Sequence, residues 1–423
     1  MYLQEEASKF AAFIGIDWAD RKHDVCLQVP GTDTCELSVL EHRPTVIDTW
    51  ARRLRERFGG RPIAVCLELS QGPIVSALLE HDIFSILPVN PSTLAKYRRA
   101  FTPSRAKDDP TDAALALDLL RRHPEKIVPL RRESVNMRAL RQFVGARRDL
   151  VQDRVRVTNR LTYTLKAYLP QVLDWFRDKE TDVFAAFLER WPSLPDAQRA
   201  RRETVVGFLH EHNGRRASVI ERRLDAINSE RPLTSDPAVI EPALHIVAAL
   251  LPQLRALSAG IARLDDQIAT RWQALSDSRL FADPPGAGPV FTSRLLAAFG
   301  EQRDRFTDAA AFQKHTGIAP VTERSGNKNW VHWRWACSKF LRQTFVEWVA
   351  SSIPHSFWAR AFYDSHKAKG ASHNATIRAL AFKWIRVLFR CWVDRVPYDQ
   401  SRYLSALQKR HSPILKFAAQ SPS

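Results

Sequence analysis

Ala12-Phe13-Ile14-Gly15-Ile16-Asp17-Trp18-Ala19 is an apolar run that carries a single acid near its end. Pro62-Ile63-Ala64-Val65-Cys66-Leu67-Glu68-Leu69 repeats the form, again with one acid. Short apolar runs of this kind read as buried β-strands. Between and after them lie further strand candidates: residues 24–30 (DVCLQVP), 35–40 (CELSVL) and 83–89 (IFSILPV). Helical segments are expected near Pro44–Phe58, Pro73–Glu80, Pro91–Phe101 and Pro110–Arg122. Three early strands followed by strand–helix alternation predict a mixed sheet covered by helices.

The two acids matter because a carboxylate on a buried strand is costly unless it is paired or binds a cation. Asp17 could be a strand-end turn residue and Glu68 an exposed edge residue. The apolar residues around each favour a shared metal on adjacent strands. Oxygen-only ligands suit Mg²⁺ or Mn²⁺. Asp109 and Asp112 stand at i, i+3, on one helix face if the helix has begun. Asp109 before Pro110 is equally well an N-cap, with Asp112 a first-turn acid. Asp20, Asp24 and Asp108 are treated as solvated or secondary.

The chain has 423 residues, enough for two or three domains, and 45% hydrophobic content, enough to fill cores. Its net charge of +17 predicts a polyanionic partner, most often nucleic acid. No apolar run approaches the roughly 20 residues of a membrane span, and the acidic N-terminus is no secretory signal. No membrane role and a cytoplasmic location are expected. Cys26, Cys35, Cys66, Cys337 and Cys391 fit no zinc spacing and read as reduced, mostly buried thiols.

Four regions are expected: 1–130, the sheet domain; 131–279, helical; 280–398, mainly helical; and 399–423, a polar, loosely ordered tail. In the second, Leu140, Val144, Val151, Val155, Leu161, Leu165 and Leu169 recur at helical spacing, an amphipathic or coiled-coil seam. Its other faces carry Arg147, Arg148, Arg154, Arg156 and Arg160, candidates for nucleic-acid backbone contacts. The third holds seven of the twelve tryptophans, at 330, 333, 335, 348, 358, 384 and 392; core roles are favoured over base stacking. Gly286 and Gly288 open a helical run, either as a phosphate-gripping turn or as an ordinary helix start. Ser325-Gly326 sits in a polar loop between Arg324 and Lys328. By chemistry alone Ser325 is a modest nucleophile candidate, with no His or Asp at a triad-like spacing. The arginine and lysine could hold a phosphate or simply be solvated.

The succession IGIDWA, CLELSQG and KDDPTDA resembles the RNase H-like, RuvC-related domain of the DEDD insertion-sequence transposases. The later stretches FQKHTGIAPVTERSGNKNW and GASHNATIRALAFKWIRVLFRCW are similar to that family's C-terminal serine domain. The resemblance implies an α/β RNase H-like N-terminal domain, a helical coiled-coil middle and a mainly α serine domain. It puts the four metal-binding acids on Asp17, Glu68, Asp109 and Asp112. Lys107-Asp108-Asp109 replaces the family's usual Lys-Thr-Asp, and the spacing to Asp112 favours Asp109 over Asp108. It puts the nucleophile on Ser325. It further implies cutting and rejoining of DNA, guidance by a structured non-coding RNA, and a homo-oligomer, dimer or tetramer. In that oligomer one subunit's serine meets another's acids. Two rivals stand beside this reading. One is a structure-selective nuclease using water, which would leave free ends and no covalent adduct. The other is a non-catalytic nucleic-acid-binding protein, which would bind without Mg²⁺ and cut nothing.

Overall fold

The computed structural model describes residues 9–69, 71–101 and 109–415, with the backbone alone at 101, 109 and 110. The chain divides into two compact units, Met1–Arg132 and Glu133–Ser423.

In the first unit the strands are β1 (Ala12–Asp17), β2 (Lys22–Gln28), β3 (Glu36–Glu41), β4 (Ile63–Leu67) and β5 (Phe84–Pro88). The helices are α1 (Pro44–Arg57), α2 (Pro73–Leu79), α3 (Pro91–Phe101) and α4 (Asp109–Arg122). The sheet order is β3-β2-β1-β4-β5. β1–β2 and β2–β3 are antiparallel, whereas β1–β4 and β4–β5 are parallel. This mixed five-stranded sheet with helices is compatible with an RNase H-like fold. Alternation along the strands divides the core by face. Ile14, Ile16, Val25, Leu27, Val65 and Leu67 join the side chains of α1 and α2. Phe13, Cys26, Ala64 and Cys66 join Leu94 of α3 and Ala113, Ala116 and Leu117 of α4. β3 is an edge strand whose Leu37 and Val39 are exposed.

The second unit is mainly helical. α5 (Val135–Lys166) starts at Ser134, whose hydroxyl accepts from Met137 N. Five shorter helices follow: α6 (Val172–Trp175), α7 (Asp182–Arg190), α8 (Leu194–Arg199), α9 (Arg202–Glu211) and α10 (Ala217–Ser229). α11 (Pro237–Gln273) then returns antiparallel along α5. The Arg271–Asn136 hydrogen bond, the Arg147–Asp265 ion pair and the contact of Gly260 with Leu150 fix that direction. One core gathers around the C-terminal half of α5, the N-terminal half of α11 and α7–α10, which gives residues 178–231 a packing role. The other core joins Met137, Leu140, Val144 and Ile268 to the C-terminal helices. These are α12 (Gly288–Phe299), α13 (Ala309–His315), α14 (Lys339–Ser352), α15 (Phe357–Ala368), α16 (His373–Asp394) and α17 (Gln400–Lys409). The helical region drawn as 131–279 therefore feeds both cores.

Three expectations change. The chain beyond Asp399 is not loose through residue 415. Asp399 caps α17 by accepting from Ser401 N at 2.8 Å, and Leu407 is buried, with Tyr403 and Leu404 against the core. The five thiols are free, but only Cys26 and Cys66 are buried; Cys35, on the approach to the edge strand, is exposed. α11 is long and apolar enough to cross a membrane by length and composition. Its Val247, Leu250, Leu251 and Leu254 are instead buried in the helical core.

Candidate active site

Asp17 is the last residue of β1, and Glu68 immediately follows β4. The parallel register pairs Ile16 with Leu67, so the next step sets Asp17 beside Glu68. Both belong to the face that Gly15 and Cys66 turn toward α4. There the sheet and helix come unusually close. A Cβ on Gly15 would lie 2.0 Å from the Ala113 carbonyl oxygen and 2.6 Å from Leu117 N. Only glycine lets the helix backbone lie on the strand. This contact, one residue past Asp112 and two before Asp17, sets the first turn of α4 over the strand ends that carry the acids.

Asp112 is 1% exposed. Arg98 Nε of α3 donates to its Oδ1, so a guanidinium neutralises the buried carboxylate. Asp109 opens α4, on the same helix face as Asp112 by the i, i+3 spacing; its side chain and all of Asp108 lie outside the described residues. Asp24, set aside in the sequence reading, faces Asp17 directly across the β1–β2 ladder. Burial, and then the neighbouring Glu68 carboxylate, push the Cys66 thiol up to about 12. Among the described residues no three His, Cys, Asp or Glu side chains close into a metal-holding group.

Sequence reasoning missed His23 and Arg98. His23 is fully buried beside the β1–β2 turn. Its Nδ1 accepts from Ala19 N at 3.3 Å, which leaves Nε2–H to donate to His42 Nδ1 at 3.0 Å. Burial, with His42 adding to it, holds its pKa down at about 4. A neutral imidazole thus ties down the turn that follows Asp17. A histidine between two charged residues carries no sequence signal for this. Arg98 was hidden among the other basic residues of α3.

Ser325 belongs to a β-hairpin where a polar loop was expected. β6 (Val321–Ser325) pairs antiparallel with β7 (Lys328–His332), and Ser325 lies opposite Lys328. Gly326-Asn327 makes a two-residue turn with Gly326 at φ +54°. The ribbon is exposed on both faces, so no hydrophobic alternation marked it as strand. Ser325, Arg324 and Lys328 are exposed at its tip. Among the described residues no His, Asp or Glu is hydrogen-bonded to the Ser325 hydroxyl. At the ribbon's foot, a Cβ on Gly317 would lie 2.3 Å from Cys337 Sγ, so close packing fixes both of its ends.

Gly286 has a packing reason of its own: a Cβ there would lie 2.4 Å from the Ser351 carbonyl oxygen. Gly288 is exposed, with nothing near it, and starts α12. On α5, Arg147 pairs with Asp265 and Arg154 with Glu180 at 2.6 Å. Arg148 donates to Gln343 and lies over the Phe340 ring. Arg156 pairs with Asp153 but stays largely exposed.

Residues 14–170 match the DEDD transposase family of IS110. Residues 278–364 match the transposase family of IS116, IS110 and IS902. The chain belongs to the IS110/IS116 family of transposases. The first match contains Asp17, Glu68, Asp109 and Asp112; the second contains Ser325. An IS117 mini-circle protein of Streptomyces coelicolor, which carries a transposase name, is 29% identical over 96% of this chain and 98% of its own length. The IS116 insertion-element protein of Streptomyces clavuligerus is 24% identical over 90% of this chain and 95% of its own. The IS900 protein of Mycobacterium paratuberculosis is 26% identical over 71% of this chain and 75% of its own. As a member of this family, the chain acts on DNA in transposition, a reaction of strand cutting and rejoining.

Proposed function

We propose that the acids of the first unit and Ser325 of the second divide the chemistry of this transposition between them. One observation carries the acid half. The approach of α4 to Gly15 sets Asp112 over the strand ends that hold Asp17 and Glu68. Oxygen donors on neighbouring strands fit Mg²⁺ or Mn²⁺ in kind, and Asp17, Glu68, Asp109 and Asp112 would hold the ion. Such a cation would polarise the phosphate and stabilise the departing oxygen. Arg98 holds the buried Asp112 side chain in an ion pair, and His23 fixes the turn after Asp17.

The serine half rests on the exposed hairpin tip and on the family resemblance of its loop. Ser325 attacks phosphorus, its hydroxyl proton passes to solvent or the leaving oxygen, and the DNA strand stays attached as a phosphoserine. That bond keeps the energy needed for rejoining. Lys328, opposite Ser325, would hold a phosphate oxygen. The +17 charge supports polyanionic partners; a structured guide RNA beside the DNA, and a cytoplasmic homo-oligomer in which acids and serine come from different subunits, rest on the family resemblance. Asp17→Asn and Glu68→Gln should lower Mg²⁺-dependent cleavage and joining of element-end DNA by about a hundredfold or more. Their thermal unfolding should stay near that of the parent protein. Full activity in either variant, measured on labelled DNA, would remove the acid cluster from the mechanism.

A further inference from the structure

The second unit sorts its tryptophans into two sets. Trp348, Trp358, Trp384 and Trp392 are completely buried. Trp330, Trp333 and Trp335, on and just after β7, are 52%, 44% and 67% exposed. Trp333 is occupied: the guanidinium of Arg378 lies 4.0 Å from its ring centre and that of Arg342 4.9 Å. Trp330 and Trp335 instead both pack against His332, with ring centres 4.4 Å and 4.2 Å from the imidazole and 5.8 Å from each other. The His332 side chain is only 8% exposed, and its two nitrogens face Glu323 at 3.1 Å and the Trp333 carbonyl at 2.6 Å. The three rings thus form one cluster on an exposed ribbon, in which the fixed histidine braces two indoles that also touch each other.

Strand register places this stack beside the serine. Residues opposite one another share a ribbon face, so Ser325 and Lys328 lie on the same face as Glu323 and Trp330, one step further along. That step is about 7 Å. The tip is exposed and carries Lys328 on this face, while Glu323 on the same face is held by His332. Large exposed aromatics beside a cation mark a binding surface, and every nucleic-acid base offers a flat π-face.

We propose that Trp330 and Trp335, braced by His332, form a stacking platform for an unpaired base of the DNA strand next to the phosphate that Ser325 attacks. The position of the strand rests on the reading of Ser325 as nucleophile; the platform's affinity for unpaired bases does not. A base stacked there leaves the duplex, and Lys328 meets the adjoining phosphate. The platform thereby favours a melted or frayed strand at the cleavage site over intact duplex.

The test is fluorescence anisotropy of the full-length protein with labelled oligothymidylate, with oligouridylate and with a blunt DNA duplex, at one salt concentration. Trp330→Ala combined with Trp335→Ala should weaken oligothymidylate binding about tenfold or more and leave duplex binding unchanged. Trp330→Phe, which keeps a π-face, should recover most of the loss. Ser325→Ala should bind like the parent protein, so loss of the serine chemistry and loss of the platform read out separately. Equal losses on single strand and duplex, no loss at all, or a loss confined to oligouridylate would overturn the proposal.

Discussion

An alanine at position 15 would put a methyl carbon against the Ala113 carbonyl oxygen, and α4 would have to lift from the sheet. Overpacking of this sort costs about 1–3 kcal/mol, and more when backbone must move. Gly15→Ala should lower the melting temperature of the first unit and remove DNA cleavage together. An unchanged melting temperature would mean that α4 does not rest on Gly15. His23 makes a prediction in pH. Its folded pKa is about 4, against about 6.5 in an unfolded chain. The unfolded state therefore takes up the proton first as pH falls. The contribution of the neutral ring is complete above pH ~6.5, is lost between ~6.5 and ~4, and stays lost below. Denaturant unfolding across that window should show the slope, and His23→Gln should flatten it. A slope unaffected by the substitution would assign the acid sensitivity to other groups.

At the scale of elements, the long helix α5 separates arginines that hold the fold from those that face solvent. Arg147 and Arg154 are tied to Asp265 and Glu180, whereas Arg156 and Arg160 are exposed. Arg147→Glu should therefore lower the unfolding midpoint, since it sets two acids against each other. Arg156→Glu with Arg160→Glu should leave the midpoint alone and reduce the salt dependence of nucleic-acid binding, by about one unit of slope per lost phosphate contact. A full salt slope in the double variant would move the binding surface off α5. The sheet was legible because apolar runs bounded by turns and Pro-initiated helices are local signals. The strands of Asp17 and Glu68 could be named from the sequence and their adjacency inferred from the two acids, as the β1–β4 pairing bears out, but not the parallel register that sets the acids side by side. The hairpin of Ser325 was illegible for a physical reason: both faces are polar or exposed, so strand and loop share one pattern. α17 was missed because its cap, Asp399, lies within a stretch that reads as a polar tail.

For the whole molecule, a surplus of 17 positive charges does not say where nucleic acid binds. Many cations are spent inside the fold, on Asp112, Asp265 and Glu180 among others. The exposed remainder includes the serine hairpin and its aromatic platform. The candidate chemistry is likewise spread over two units, with carboxylates on one and a hydroxyl on the other, so neither unit alone should recombine DNA. Composition and family-like motifs reached this division, but burial and register were needed to separate structural arginines and tryptophans from exposed ones. The central claim is that the strand passes through a bond to Ser325. Its most direct test is denaturing electrophoresis of end-labelled element DNA incubated with the protein, Mg²⁺ and transcript from the element. The parent protein should give a protein-linked DNA band that protease removes, and Ser325→Ala should give neither that band nor joined product while keeping its fold. An alanine variant that still joins DNA would contradict the account and hand the attack to water or a 3′-hydroxyl at the acids.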